Sequence, residues 1–185
     1  MTVLCSILHL LVDGLCVCCL YMAASAFSSS HLVGIFLSYN ILAFLTQPLT
    51  GMIADRIERK RLLLFASVLL LTMACLATSI VVNLRLPAHG VMIVAILLGI
   101  GNSLFHVWGG KQVAVNTGND IRALGTFVST GAFGLSLGIV FFSWSLIYVF
   151  LISICLLSIV YLNLDLKTAN AITTDKPSGH RLSSM

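Results

Sequence analysis

Six stretches of this chain are apolar over roughly the twenty residues that a helix needs to cross the hydrocarbon core of a bilayer. They cover residues 3–27, 32–54, 62–82, 90–108, 123–142 and 146–164, with short polar connections between them. A soluble domain holds about 25% charged residues. Here only 9% are charged and 59% are apolar, and the six runs leave no stretch long enough for a separate soluble domain. The expectation is an all-α integral membrane protein, with a six-helix bundle at 1–164 and a polar, disordered tail at 165–185. Nucleic-acid binding and cytosolic catalysis are excluded. Cys5, Cys16, Cys18, Cys19, Cys75 and Cys155 lie inside apolar runs and read as small hydrophobes rather than as a disulfide framework.

Local signals set the ends of the runs. A turn at Ser28, Ser29 and Ser30 closes the first, and the Gly109 and Gly110 pair reads as the stop of the fourth. Pro48 frees the carbonyl of Phe44 and predicts a bend in the second, with Gln47 beside it as a polar side chain in need of a partner. Six crossings put both termini on one side. Arg56, Arg59, Lys60, Arg61, Lys111, Arg122, Lys167, Lys176 and Arg181 then share that side, and Arg85 alone lies on the other. Basic residues concentrate in the cytoplasm, so both termini are expected there. The first run has no basic residue before it and no small-residue cleavage site after it, and is expected to be a retained helix rather than a signal peptide. Trp108 and Trp144 fall where an aromatic belt would place them.

The loop between the second and third runs reads Gly51, Met52, Ile53, Ala54, Asp55, Arg56, Ile57, Glu58, Arg59, Lys60, Arg61. Any cytoplasmic loop collects basic residues, but Asp55 falls at a helix C-terminus, where the dipole disfavours an anion unless a cation pairs with it. Arg56 and Arg59 are the nearest candidates. The loop resembles the signature of the major facilitator superfamily at the same place: Gly, three residues, Asp, a basic residue, any residue, Gly, any residue, two basic residues. Gly51, Asp55, Arg56, Lys60 and Arg61 match, and Glu58 stands where the second glycine falls. The resemblance implies half of a major facilitator fold, two inverted three-helix repeats forming a six-helix bundle, in a secondary transporter working by alternating access. It also implies that the loop is a cytoplasmic latch whose Asp contacts the transporter's other half.

Polar groups inside the spans are expensive and mark pathways by default. His9 and Asp13 lie four apart on one face of the first span, and Asn102 and His106 four apart in the fourth. At 1.5 Å per residue, His9 and His106 come out at about the same depth, roughly 8–10 Å to the cytoplasmic side of the midplane. Asp13 and Asn102 fall within about 3 Å of the midplane. Asp13 is the candidate proton carrier, with His9 placed to share the proton. The plainer reading is that the two pairs only hydrogen-bond and tie helices together. Cys5, His9, Asp13 and Cys16 form one stripe, but a single straight helix cannot wrap four ligands around an ion, so no metal and no cofactor is expected.

A narrower resemblance, to the fosmidomycin-resistance branch of drug exporters, is carried by His9 to Asp13, by Gly99 to His106 and by the glycine-rich fifth span. Val107 stands where that branch has Pro. Gly125, Gly134 and Gly138 also resemble the superfamily's antiporter signature, without its Pro at Ile139 or its paired glycines at Phe142 and Ser143. Read as packing alone, Gly125, Gly131, Gly134 and Gly138, with Ser129, form a small-residue face for close helix approach. The exporter resemblance implies proton-driven efflux of small molecules or drugs from a bacterial inner or plasma membrane, with lipid, substrate and protons as partners. A complete member has twelve spans, so a second six-helix half is expected, from another copy or another chain. The competing expectation is a truncated, non-transporting fragment or scaffold that needs a partner half. An intramembrane enzyme is not expected, since no Gly-x-Ser-x-Gly nucleophile motif is present.

Overall fold

The computed structural model describes residues 1–25, 31–57, 59 and 61–174, with side chains described through residue 166. The serine turn at Ser28 to Ser30, Glu58 and Lys60 of the signature loop, and the tail beyond Thr174 lie outside the described residues. The helices are α1 (Thr2–Ala24), α2 (Leu32–Asn40), a π-helical turn (Ile41–Leu45), α3 (Gln47–Arg56), α4 (Arg61–Asn83), α5 (Ala88–Asn116), α6 (Ile121–Phe141) and α7 (Trp144–Thr174). Of these α1, α4, α5, α6 and α7 are long and apolar enough to cross a membrane, and α2 with the π turn and α3 forms a bent apolar pair that makes a sixth crossing if it is one span. The protein is an all-α, multi-pass integral membrane protein.

The bend is 41°. Pro48 cannot donate to the ladder, and the helix widens just before it, where the Thr46 amide donates to the Ile41 carbonyl at 3.2 Å. Two side chains satisfy carbonyls in the widened turn. The Thr46 hydroxyl donates to Leu42 O at 2.6 Å, and Gln47 Nε2 donates to Ala43 O at 2.9 Å, which gives Gln47 its partner.

The core is built around α1. Its apolar stretch is 78% buried, whereas those of α4, α6 and α7 are between 22% and 33% buried. It packs on α4, α5, α6 and α7. The outer helices present Phe65, Met73, Phe133 and Leu156 outward, as surfaces solvated by lipid do.

Two expected ends differ. The Gly109 and Gly110 pair does not stop the fourth span, and α5 continues to Asn116. Gly109 serves packing instead: a Cβ there would come 2.9 Å from the Phe127 ring of α6. Trp108 consequently lies inside the helix, buried against Tyr161 and Phe105, and not exposed at a helix end. The tail expected to be disordered from residue 165 starts as helix, because α7 runs on through Thr174. A helix already nucleated in the membrane extends cheaply, and Leu164, Leu166, Ala169 and Ala171 are strong helix formers.

Candidate functional site

His9 and Asp13 on α1 meet His106 on α5. His9 and Asp13 are each 2% exposed, while the side chain of His106 keeps 11% of its surface and is the member that reaches the outside. His9 Nδ1 lies 2.6 Å from the carbonyl oxygen of Phe127 on α6. His106 Nδ1 lies 3.2 Å from the carbonyl oxygen of Asn102, one turn back. Carbonyl oxygens only accept, so each Nδ1 carries a hydrogen and donates it. Each Nε2 of a neutral imidazole is then an acceptor. Those two atoms face each other at 2.5 Å, with Asp13 Oδ2 3.2 Å from His9 Nε2 and Asp13 Oδ1 3.6 Å from His106 Nε2. Three acceptors converge in a dry site, and one added proton between the imidazoles turns the repulsion into a charge-assisted hydrogen bond. In that state the imidazolium balances the Asp13 carboxylate and the cluster carries no net charge.

The same three groups could in principle ligate a metal, since their ligand atoms lie within 4.8 Å of one another. Two nitrogens on one tetrahedral ion are about 3.3 Å apart, given metal–nitrogen bonds of about 2.0–2.1 Å. The observed 2.5 Å fits a shared proton better than a shared ion.

Asn102 does not join the cluster through its side chain. Its Nδ2 donates to the Tyr39 hydroxyl of α2 at 3.0 Å, its Oδ1 is buried without a partner among the described residues, and only its backbone carbonyl meets His106. Tyr39 carries no sequence signal, because a tyrosine in an apolar run reads as core.

α6 closes over the cluster through glycines. A Cβ at Gly131 would stand 2.5 Å from both His9 Nε2 and Asp13 Oδ2. One at Gly134 would run into the Leu10 carbonyl, and one at Gly138 would come 2.7 Å from the Gly14 carbonyl. These three glycines share one helical face and let α6 lie on the α1 backbone. Gly125 does not belong to that face. Nothing lies within 4 Å of a Cβ placed there, because six residues of helix turn it well away from Gly131. Ser129 is likewise exposed and bonds only within its own helix.

A family model described as Major Facilitator Superfamily matches residues 2–182. The chain belongs to the major facilitator superfamily. No curated protein and no solved structure matches it. Membership makes it a membrane transporter of small molecules by family, and the bundle is half of the major facilitator fold.

In this major facilitator the signature loop is held from within the same six helices. Asp55 at the end of α3 pairs with Lys111 Nζ of α5, a cation 56 positions away that the loop sequence does not offer. Reading Gly109 as a helix stop hid Lys111, which sits on the same helix one turn past Trp108. Arg61 at the start of α4 donates through Nε to Asp165 Oδ2 of α7 at 2.5 Å. Gly51 has open space around it, with nothing within 4 Å of a built Cβ. The ion pairs gather the ends of α3, α4, α5 and α7 at one basic end of the bundle.

Proposed function

We propose that this chain is the N-terminal half of a secondary active transporter that exports small molecules, drugs among them, in exchange for protons by alternating access. The observation that carries the reading is the convergence of His9 Nε2, His106 Nε2 and the Asp13 carboxylate, three acceptors that one proton reconciles. With the proton bound, α1 and α5 are bonded across their interface and the cluster is neutral. Without it, a buried carboxylate faces two lone pairs, and separating the helices or admitting water relieves the repulsion. Proton release and movement of α5 against α1 are thereby coupled, and His106, at the edge of the cluster, is the entry point. Asn102 and Tyr39, buried beside it and bonded to each other, tie α5 to α2 next to the cluster. The loop with Gly51, Asp55, Arg56, Arg59, Lys60 and Arg61 acts as a latch that favours one conformation. Lys111 holds its Asp until the second half competes for it.

The proposed setting is a bacterial inner or plasma membrane with both termini and the basic end in the cytoplasm, the side favoured by Lys and Arg. A second six-helix half, from another copy or another chain, completes the path. The two halves of these transporters are related by an axis along the membrane normal, which a symmetric dimer supplies.

The test uses vesicles reconstituted with the chain and its completing half, under an imposed pH gradient. Asp13→Asn keeps the side-chain size and should abolish gradient-driven transport while substrate binding persists. Gradient-driven transport at the wild-type rate in that variant would overturn the assignment of the proton to this cluster.

A further inference from the structure

At the basic end of the bundle a cavity of about 460 Å³ opens between the start of α4, Trp108 and Gln112 near the end of α5, and Tyr161 and Asp165 of α7. Its walls offer hydrogens and are short of acceptors. The Asp165 carboxylate is already engaged by Arg61 Nε at 2.5 Å, and Gln112 Oε1 accepts from the Tyr161 hydroxyl at 2.8 Å. That leaves the Gln112 amide hydrogens, the outer guanidinium hydrogens of Arg61, and the guanidinium of Arg59 at the rim. Trp108 adds the decisive group. It lines the cavity, is only 1% exposed, and its indole Nε1–H is buried with no acceptor among the described residues. A buried donor left unsatisfied is costly, so such a group points to an acceptor that binds there. With two arginines against one aspartate, the lining carries a net positive charge.

We infer that this cavity binds a phosphate group, and that its source is the headgroup of an anionic phospholipid in the adjoining leaflet. Phosphate offers several acceptor oxygens to a set of donors that includes a planar guanidinium, the arrangement that binds it best. The cavity lies among residues near the ends of three apolar spans, Arg61 at the start of α4, Gln112 one turn before the end of α5 and Asp165 at the end of the apolar part of α7, where a lipid headgroup can reach it, and the exposed Leu62 suits the upper acyl carbons. Bound there, the headgroup would bridge α4 to α5 and α7 beside the Arg61–Asp165 pair. This site is separate from the His9–Asp13–His106 cluster and does not depend on what that cluster does.

Native mass spectrometry of the full chain in mild detergent, with added short-chain phosphatidylglycerol or phosphatidylcholine, tests it. The wild type should retain one phosphatidylglycerol in preference to phosphatidylcholine. Trp108→Phe keeps the ring and removes only the N–H, and Arg59→Gln removes a charge at the rim without touching the Arg61–Asp165 pair. Each should weaken retention about tenfold, the effect of one lost charge-assisted hydrogen bond. Millimolar inorganic phosphate separates the two sources: displacement of the lipid assigns the site to free phosphate, and undiminished retention assigns it to the lipid. Equal retention of both lipids, or unchanged phosphatidylglycerol retention in two variants that elute as the wild type does, would overturn the inference.

Discussion

Gly131→Ala tests how tightly α6 closes the buried cluster. The added methyl would stand 2.5 Å from His9 Nε2, His9 Cε1 and Asp13 Oδ2, where ordinary contact begins at 3.4 Å. Roughly 1 Å must be found somewhere. The imidazole cannot swing aside freely, because its Nδ1–H is bonded to the Phe127 carbonyl at 2.6 Å and its ring stacks on the Phe127 ring at 4.2 Å. Nor can α6 withdraw easily, since Gly134 and Gly138 hold it on the α1 backbone. The remaining outlet is loss of the His9–His106 hydrogen bond. Overpacking costs about 1–3 kcal/mol and a hydrogen bond to a charged group is worth about 1.5–3 kcal/mol, so the substitution should cost about 2.5–6 kcal/mol. At about 2–4 °C per kcal/mol, thermal unfolding in mild detergent should fall by roughly 10 °C. Gly125→Ala, in open space, should melt with the wild type. Gly138→Ala meets the Gly14 carbonyl at 2.7 Å and Gly14 Cα and Val17 Cβ at 3.3 Å, away from the buried cluster, and should lower the melting temperature with the pH dependence of transport intact. Gly131→Ala should lower the melting temperature furthest and also change that pH dependence. If it melts with Gly125→Ala, the close approach is not there; if it matches Gly138→Ala in both readouts, the glycine serves packing alone.

Two further outcomes concern the polar ends. Asp55→Ala removes the anion at the end of α3 that pairs with Lys111, so it should slow turnover with little change in substrate affinity; a large affinity change with normal turnover would contradict a latch. Asp120 caps α6 by accepting from the Arg122 amide at 2.9 Å, and the Arg122 side chain and amide hold its carboxyl below the ordinary value of 3.8. Its stabilisation is therefore present in full above 3.8 and fades as the pH falls through the lower folded-state value, so Asp120→Ala should melt earlier at neutral pH and converge with the wild type in acid. A gap that persists in acid would assign the loss to something other than the carboxylate.

The site was legible where the chemistry is local to one helix. His9 and Asp13, and Asn102 and His106, are spaced four apart, so a helix brings each pair to one face whatever surrounds it. A depth count of 1.5 Å per residue also brings His9 level with His106. Apolar periodicity says nothing of which neighbour a face meets. Hence Tyr39, the Phe127 carbonyl and the touch of Gly131 on the cluster came only with the fold, and Asn102 turned out to serve Tyr39. Gly109 and Gly110 misled for a related reason. Glycine is a helix stop in water, yet in a membrane bundle its lack of a side chain is spent on close packing against Phe127.

The order of amino acids by itself determined the six crossings, the basic end and the superfamily signature, because the free energy of burying apolar residues in lipid and the cost of polar ones are set span by span. It determined the bend as well, since Pro48 withholds a donor in any context. Only the tertiary structure decided that Asp55 meets Lys111, that Arg61 meets Asp165, and that two imidazoles and a carboxylate face one another across α1 and α5. Those contacts join residues from 56 to 104 positions apart, and no local preference encodes which helix lies beside which. Glycines on α5 and α6 and the central place of α1 do that, by fixing how closely each backbone can approach.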